Sequence, residues 1–441
     1  MSTGIRLVAE HYDIKTNKIL QSSIIADEQL TKADTLRYLG YTHVEQIKII
    51  QAIQDFKIAP QILLNCPIIC PDCNNKLLRN GPTKSPFYSV LTDHTVVIPR
   101  LFCKCGWRFK ASIENLFGSN VHPDLLKKQA IQGSKESYNK ASASLDAESA
   151  ATRKINNHTQ IMRAVEQVAN TITPLKIAAT AVACYPELIA HIDGGHIKSI
   201  GENRSFEAMI ATVYRPESLI TVNKNQNEII DKTTVASAKD DLQETMKQLF
   251  VGACVTQGMS IKSIVTCLAD GADNCREIAN AIKQHCNEVV YILDWFHIAK
   301  RFQNIAIPPE HKEKYKHIKF NLWHGNVVKA LQRLAEFMQI SDIVKNSITT
   351  DKLKKLSVYI SNNELGIVNY AVRKKAGLVF TSNLAECTVN TVINERQKGK
   401  KKMLWSRQGA HNILQIRSSV FSKSWDDDWM KVENELYLLA A

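Results

Sequence analysis

The sequence lacks any apolar run long enough to cross a bilayer, and its first residues lack the apolar core of a signal peptide. We therefore expect no membrane association and a cytoplasmic location. The sequence also contains no internal repeat and no long low-complexity tract, which argues against a repeat architecture. Its 441 residues are enough for roughly two to four domains.

Negative charge is scarcer than positive charge in this chain. There are 43 Asp and Glu residues against 56 Lys and Arg residues, which gives a formal net charge of +13. This excess favours a polyanionic partner, most simply nucleic acid. A soluble basic protein without such a partner would have the same composition.

The cysteines do not indicate a disulfide framework, because the sequence shows no export signal. Five of the eleven lie between Cys66 and Cys105. The other six are scattered, and we expect them to be small buried hydrophobic residues: Cys184, Cys254, Cys267, Cys275, Cys286 and Cys387.

Two close cysteine pairs predict a structural Zn²⁺ site. Cys70 and Cys73 have CxxC spacing, and Cys103 and Cys105 have CxC spacing. Four thiolates satisfy tetrahedral Zn²⁺, and strand-like patches between the pairs are typical of a zinc ribbon. The alternatives are four buried thiols, or a ligand set in which Cys66 replaces one of the four.

The pattern along the chain predicts six segments. A hairpin and an amphipathic helix precede the ribbon, and a polar helical stretch, an α/β region, a mainly helical stretch and a last helix with a basic tail follow. The predicted boundaries are 1–59, 60–122, 123–184, 185–306, 307–380 and 381–441. Residues 138–145 and 157–165 could be a helix-turn-helix, with Arg163 on the recognition helix, or a generic helical linker.

Three carboxylates stand where a two-metal nuclease site would need them. Asp193 closes the apolar run 188–192 and Asp270 closes the run 264–269, and glycine follows each. Such runs predict buried strands that deliver a carboxylate to a sheet edge. Glu386 begins a segment of helical character. Oxygen ligands suit Mg²⁺ or Mn²⁺, and two ions can bind both the attacking and the leaving oxygen of a phosphodiester.

Several short motifs accompany these carboxylates. They are Ile-Asp-Gly-Gly-His at Asp193, Leu-Ala-Asp-Gly-Ala at Asp270, Leu-Asp-Trp-Phe-His-Ile-Ala-Lys from Leu293, Leu-Trp-His-Gly from Leu322, Asn-x-x-Glu at Glu386, Arg-Gln-Lys-Gly from Arg396 and Trp-Ser-Arg-x-Gly-Ala from Trp405. Each motif alone is weak, but the set is specific. Over roughly residues 120–420, the chain resembles bacterial insertion-sequence transposases of the DDE class, related to the Mutator-like superfamily.

The resemblance implies an α/β fold: an RNase H-like catalytic core with an α-helical insertion, preceded by a zinc ribbon and a helix-turn-helix-like segment. It assigns Asp193 to the first strand, Asp270 to the fourth, and Glu386 to the helix after the insertion. Each would bind the two Mg²⁺ or Mn²⁺ ions. Asp294 and His297 match a further Asp-x-x-His element. Asp294 also closes a predicted strand, so it could be the second carboxylate in place of Asp270, or it could simply cap that strand end.

The implied reaction has two in-line phosphoryl transfers. Water attacks at a transposon end and frees a 3′-hydroxyl, which then attacks target DNA. Basic residues near the motifs are expected to contact the DNA backbone: Arg163, Lys198, Lys300, Arg396, Lys398, Lys400, Lys401, Lys402 and Arg407. The run 396–402 could instead be a solvated loop. Trp295 and Trp405 could stack on a splayed base or belong to the core.

The expected partners are double-stranded DNA, as terminal inverted repeats and as target, and further copies of the chain in a homo-oligomer on DNA. The location would be the bacterial cytoplasm, at the nucleoid. Two other classes stay open. An RNase H-like exonuclease would usually need four carboxylates and would not explain the ribbon. A non-catalytic or domesticated DNA-binding regulator would have no need of Asp193, Asp270 and Glu386.

Overall fold

The computed structural model describes residues 3–32, 35–181, 183–201, 204–223, 226–382, 388–398 and 403–438. The chain forms two compact units. The first comprises residues 1–168 and 429–441, and the second comprises residues 169–428. Both contain helices and strands, so the protein is mixed α/β. Within the described part of the chain, no helix has both the length and the apolar character needed to cross a membrane.

A β-hairpin and a long helix open the first unit. β1 (Thr3–Tyr12) pairs antiparallel with β2 (Ile19–Leu30), as the sequence predicted. α1 (His43–Asn65) follows. The Thr42 hydroxyl accepts the N–H of Glu45, and the Glu45 carboxylate accepts the N–H of Thr42. This reciprocal capping fixes where the helix begins.

The cysteine-rich module is a second antiparallel hairpin that packs on α1. β3 (Leu78–Tyr88) pairs with β4 (Asp93–Phe102), and the short helix α2 (Ile113–Phe117) follows. The predicted boundary at residue 60 falls inside α1, which continues through Pro60. Ile62 explains the continuation, because its side chain is buried in the core of the hairpin and this packing outweighs the missing backbone donor of the proline.

Three helices follow the hairpin: α3 (Pro123–Lys135), α4 (Tyr138–Glu148) and α5 (His158–Ile177). The Asn157 side chain accepts the backbone N–H groups of Thr159 and Gln160, each at 3.0 Å, and so starts α5 where the sequence predicted it. A Cβ on Gly133 would lie 2.7 Å from a methyl group of Val165. Glycine is therefore needed for the close approach of α3 to α5.

Arg153 joins this helical segment to the tip of the β3–β4 hairpin. The residue is only 6% exposed. Its guanidinium donates to the carbonyl oxygens of Ser89, Val90 and Thr92 and to the carboxylate of Asp93, over 2.5–3.0 Å. Because buried charges are costly unless they are paired and hydrogen-bonded, this set of contacts holds the two parts of the unit together.

The described strands of the second unit are β5 (Glu187–Lys198), β6 (Ser205–Tyr214), β7 (Leu219–Asn223), β8 (Gln226–Ile229), β9 (Thr233–Ser237), β10 (Ile264–Ala269) and β11 (Glu288–Leu293). Five of them form a mixed sheet in the order β11-β10-β5-β6-β9, and β7 pairs with β8 in a separate two-stranded sheet. β5, β6 and β9 pair antiparallel, whereas β10 is parallel to both β5 and β11. The first half of the region is thus antiparallel, and the predicted strand–helix alternation holds only after β9.

The helices of this second half are α6 (Glu244–Thr256), α7 (Asp273–Asn280) and α8 (Trp295–Gln303). Successive side chains of β5 enter two different cores, as the period of a strand requires. Leu188 and Ala190 pack with residues of α6 and α7, such as Phe250. Ile189 belongs to the core on the other face, together with Leu334 from the helical stretch.

The helical stretch predicted at 307–380 packs on the sheet. Its helices are α9 (Lys312–Trp323), α10 (Val327–Phe337), α11 (Ser341–Lys345), α12 (Ser347–Asn362) and α13 (Tyr370–Lys375). Phe337 and Tyr370 share one core with Leu268 of β10 and Ile292 of β11. The chain then returns toward the strands. The predicted site required this return, because Glu386 follows the helical stretch and has to join Asp193 and Asp270.

The C-terminal part differs from the single long helix that the sequence predicted after residue 381. It contains a π-helix (Val389–Asn394) that runs into a short α-helical turn (Glu395–Gln397), then α14 (Arg407–Ser422) and α15 (Trp425–Glu433). The remaining short helical turns are Leu36–Leu39, Lys154–Asn156, Pro216–Ser218, Pro309–His311, Glu364–Gly366 and Asn434–Leu438.

Two buried histidines should make the second unit sensitive to acid. Burial lowers the pKa of both His191 and His411 to about 4. Below pH 6.5 these two histidines bind protons in the unfolded chain but stay neutral in the folded protein. The free energy of unfolding should therefore fall as the pH drops from 6.5 towards 4. Between pH 7.5 and pH 5, His191 alone should account for a loss of about 2 kcal/mol in the free energy of unfolding.

Urea unfolding of the second unit at both pH values would measure this loss. His191→Gln should reduce the pH dependence, whereas His285→Gln, on an exposed histidine of the same unit, should leave it unchanged. An equal pH dependence in the wild type and in His191→Gln would contradict the assignment.

Candidate active site and cysteine cluster

Three aspartates lie at the same level on three adjacent strands. The parallel pairing of β10 with β5 and with β11 ends at Ala269, and the residue after the last pair on each strand is an aspartate: Asp193, Asp270 and Asp294. The sequence predicted that Asp193 ends its strand, but it does not. β5 continues to Lys198 because its antiparallel pairing with β6 extends that far.

Asp193 is a half-buried carboxylate surrounded by other ionisable groups. Its Oδ1 accepts the backbone N–H of Gly194 at 2.7 Å. Burial raises the pKa of this carboxyl, and the charges of Asp270 and Asp294 add to the rise, while the Gly194 bond and His297 oppose it. The three aspartates and His297 are therefore close enough to interact electrostatically.

Asp270 lies in a turn that the helical stretch supports. Its carboxylate accepts the N–H of Ala272 at 2.9 Å, and its carbonyl oxygen accepts the hydroxyl of Tyr359 from α12 at 2.8 Å. Gly271 has a φ of +91°, and a Cβ there would lie 2.2 Å from the Asn363 side chain. Only glycine fits this turn, which explains the Asp-Gly pair in the sequence.

Asp294 has a different environment. It is 1% exposed and caps α8, since its Oδ1 accepts the N–H of Phe296 at 2.9 Å. The same oxygen accepts the N–H of Ser382 at 3.0 Å, and Oδ2 accepts the Ser382 hydroxyl. The Nε2 atom of His297 lies 3.7 Å from Oδ2. These contacts agree with the second of the two sequence-based alternatives, in which Asp294 is a capping residue.

Three residues near the aspartates did not stand out in the sequence. The buried thiol of Cys275 donates to the Asp270 carboxylate at 3.6 Å, and burial raises its pKa well above the usual value, so it stays protonated. Glu207 on β6 accepts the Asn274 amide at 2.7 Å. Cys275 had been predicted only as a small buried residue. The Asp-x-x-x-x-Cys spacing after a strand end is the signal that could have identified it.

Glu386 lies outside the described residues, as do Lys400, Lys401 and Lys402. The described chain on either side of Glu386 is close to the aspartates. On one side Ser382 binds Asp294. On the other side, the side chains of Val389 and Ile393 lie 3.5 Å from where a Cβ on Gly195 would be, two residues along β5 from Asp193.

The other residues predicted to contact DNA fall into two groups. Arg163, Lys198, Lys300 and Lys398 are exposed. Arg396 is only 4% exposed and stacks on Trp405, with its guanidinium carbon 4.8 Å from the ring centroid. This burial leaves the Arg396 guanidinium little surface with which to contact a DNA phosphate.

Arg407 and the two tryptophans also have partners within the second unit. Arg407 pairs with Asp241 at 2.5 Å, so a phosphate would have to replace that carboxylate. Trp405 is 5% exposed. Trp295 packs on Trp323, with ring centroids 4.7 Å apart. The core alternative for both tryptophans fits these contacts.

In the first unit, the four predicted cysteines come together. The sulfur atoms of Cys70, Cys73, Cys103 and Cys105 all lie within 4.8 Å of one another, and they could hold a structural metal such as zinc. Cys66 packs beside them in a small apolar cluster but does not belong to this group. The structure thus groups the four that the spacing selected.

Two tight turns bring these sulfurs together. Asn74 and Gly106 both adopt positive φ, and the N–H of each donates to the carbonyl oxygen of the first cysteine of its pair. The N–H of Asn75 lowers the pKa of Cys73 to about 7. The N–H of Trp107 acts likewise on Cys105, but the neighbouring sulfurs outweigh it and raise that pKa to about 12. Four sulfurs at these distances cannot all ionise without a shared cation.

The aspartates form a looser arrangement than the cysteines. Among the described residues, only one other group of three or more possible metal ligands has its ligand atoms within 4.8 Å of one another. It consists of Glu310, His311 and Asp342 on the surface of the helical stretch.

Comparison of the chain with protein-family models and with curated proteins gives no match.

Proposed function

We propose that this protein is a DDE transposase, which cuts DNA at the ends of a mobile element and joins those ends to target DNA. The observation that carries the proposal is the alignment of Asp193 and Asp270, which follow the last residue pair of the parallel β5–β10 ladder. Carboxylates on adjacent strands of one sheet are a common way to build an oxygen-ligand metal site.

The strand order supports an RNase H-like core. In the proposed assignment, the first strand carries Asp193 and the fourth carries Asp270. β5 is the first strand of the five-stranded sheet in chain order, β10 is the fourth, and the two are neighbours. The helical stretch joins the same core and precedes Glu386, as an insertion before the last acidic residue would.

The donor set around Asp193 and Asp270 fits Mg²⁺ or Mn²⁺, because it consists of carboxylate oxygens. Bound there, the ions would supply an activated water and charge neutralisation at the phosphate. Asp193 and Asp270 would hold them, and Glu386 would complete the set. The contacts of Ser382 and of Val389 on either side of Glu386 support this role, since both anchor the chain beside the aspartates.

The reaction consists of two displacements. Water attacks the phosphodiester at the element's end, the bond to the leaving oxygen breaks, and a 3′-hydroxyl is released. That hydroxyl then attacks a target phosphodiester, so one bond forms and one breaks at each step. The exposed Lys198 and Lys300 would contact the DNA backbone.

The first unit would bind DNA. Its cysteine cluster would be the zinc ribbon, and α3, α4 and α5 would be the helix-turn-helix-like segment, with Arg163 exposed on α5. The net charge of +13 supports a DNA partner. Two element ends must be held together for joining, so we expect a homo-oligomer on DNA.

A strand-transfer assay tests the proposal. Purified protein is incubated with Mg²⁺, a labelled DNA end from the inverted repeats that flank the gene, and a supercoiled plasmid. Joining of the labelled end to the plasmid is the expected result, and it should disappear with EDTA. Progressive degradation of the label would indicate an exonuclease instead. A gel shift without any cleavage would indicate a regulator.

A further inference from the structure

Asp294 has little capacity left to bind a metal ion. Both of its oxygens already accept hydrogen bonds: Oδ1 from the N–H groups of Phe296 and Ser382, and Oδ2 from the Ser382 hydroxyl. His297 lies 3.7 Å from Oδ2, and the carboxylate is 1% exposed. A ligand of a site that accepts DNA has to present a free oxygen to the ion, and Asp193 and Asp270 are both more exposed than Asp294.

The contacts of Asp294 are part of a larger set of hydrogen bonds between the start of α8 and the chain that follows the helical stretch. The N–H of Trp295 donates to the carbonyl oxygen of Phe380 at 3.2 Å. Residues 380 and 382 are thus both hydrogen-bonded to the first turn of α8. This attachment lies where the chain leaves the helical stretch, four residues before Glu386.

We propose that Asp294 is a positioning residue, which fixes the start of the segment carrying Glu386 and does not itself bind the metal ions. The inference rests on the proposed function, and it decides between the two carboxylates that the sequence left open. Asp270 is then the second ligand. Asp294 acts through Ser382, because its carboxylate is the acceptor for both the N–H and the hydroxyl of that residue.

An amide substitution separates the two roles. In Asp294→Asn the side-chain oxygen can still accept the N–H groups of Phe296 and Ser382, and the new NH₂ group can donate to the Ser382 oxygen. The attachment therefore survives without the charge. At a metal ligand the same change removes the charge that holds the ion. We expect Asp294→Asn to retain cleavage within about tenfold of the wild type, whereas Asp270→Asn should lose about 10³-fold or more.

Hydrogen exchange at the Ser382 amide provides a readout that does not need activity. The amide should exchange slowly in the wild type and in Asp294→Asn, and faster in Asp294→Ala, which has no acceptor. Ser382→Ala, which removes only the hydroxyl, should fold, keep a protected amide and lose less than about tenfold in cleavage. If Asp294→Ala fails to fold, the asparagine and Ser382→Ala variants carry the comparison.

The outcomes separate the two proposals. Loss of cleavage in Asp294→Asn as complete as in Asp270→Asn, with the Ser382 amide still protected, would make Asp294 a ligand and overturn the inference. Equal exchange in the wild type and in Asp294→Ala would overturn it as well. If the wild type cleaves no DNA, the proposed function fails, and the exchange experiment still decides whether Asp294 fixes Ser382.

Discussion

Asp193→Asn and Asp270→Asn should each lower the rate of DNA cleavage by at least about 10³-fold, equivalent to about 4 kcal/mol of transition-state stabilisation. The amide keeps the shape of the carboxylate but loses the charge that holds a divalent cation. Glu386→Gln should have the same effect if Glu386 is the third ligand. Cleavage of a labelled element end in Mg²⁺ provides the measurement.

The structure adds an expectation about stability. Asp193 is a half-buried carboxylate whose pKa is raised chiefly by burial, and Asp270 and Asp294 add to the rise. Without metal, Asp193→Asn removes a charge that the fold disfavours, so this variant should melt at the wild-type temperature or above it. A loss of activity together with unchanged or higher stability is the expected signature of a functional carboxylate.

Asp273→Asn is the matched control. Asp273 lies three residues after Asp270, is exposed, and belongs to the first turn of α7. Its substitution should change cleavage by less than about threefold and stability by less than about 1 kcal/mol. If Asp270→Asn were as active as this control, the second ligand would have been assigned wrongly. DNA binding in a gel shift should be similar for all of these variants.

Cys73→Ser and Cys103→Ser should each remove the zinc from the protein and unfold the β3–β4 hairpin. The four sulfurs within 4.8 Å predict one zinc ion per chain. Structural zinc contributes on the order of 10 kcal/mol to small modules of this kind, more than so small a hairpin core supplies by itself. Elemental analysis and limited proteolysis of residues 66–109 would measure the two effects.

Cys66→Ser is the control for the zinc site, since Cys66 packs beside the cluster without belonging to it. This variant should keep its zinc. Loss of zinc from Cys66→Ser with retention in Cys73→Ser would show that the ligand set is different. In all three variants, the second unit should retain its own unfolding transition, because the cysteine cluster lies outside it.

The sequence predicted the features that depend on local chemistry. The CxxC and CxC pairs identified the cysteine cluster, and Asp-Gly after an apolar run located the turn at Asp270, where a φ of +91° requires glycine. The N-terminal hairpin and the start of α5 at Asn157 were also predictable, because turn and cap residues act within a few positions of themselves.

Features that depend on contacts between distant segments could not be read from the sequence. Asp193, Asp270 and Asp294 each close an apolar run, and only the tertiary contacts with Ser382, 88 residues away, distinguish Asp294 from the others. Arg396 belongs to a basic run that the sequence predicted to contact DNA, but Trp405 covers it in the fold. Likewise, the predicted boundary at residue 60 falls inside α1, because the packing of Ile62 continues the helix beyond it.

If the first unit binds DNA as proposed, the contacts of Arg153 would fix the distance between two of its DNA-contacting parts. Arg153 holds the tip of the β3–β4 hairpin beside the start of α5, while the cysteine cluster lies at the opposite end of that hairpin. An eleven-residue strand such as β3 spans roughly 35 Å. That length is about one turn of B-form DNA, roughly 34 Å. If the cysteine turns and α5 both contact a duplex that runs along the hairpin, their contacts should fall on one face of the duplex, about ten base pairs apart. The length of the hairpin would then set that spacing.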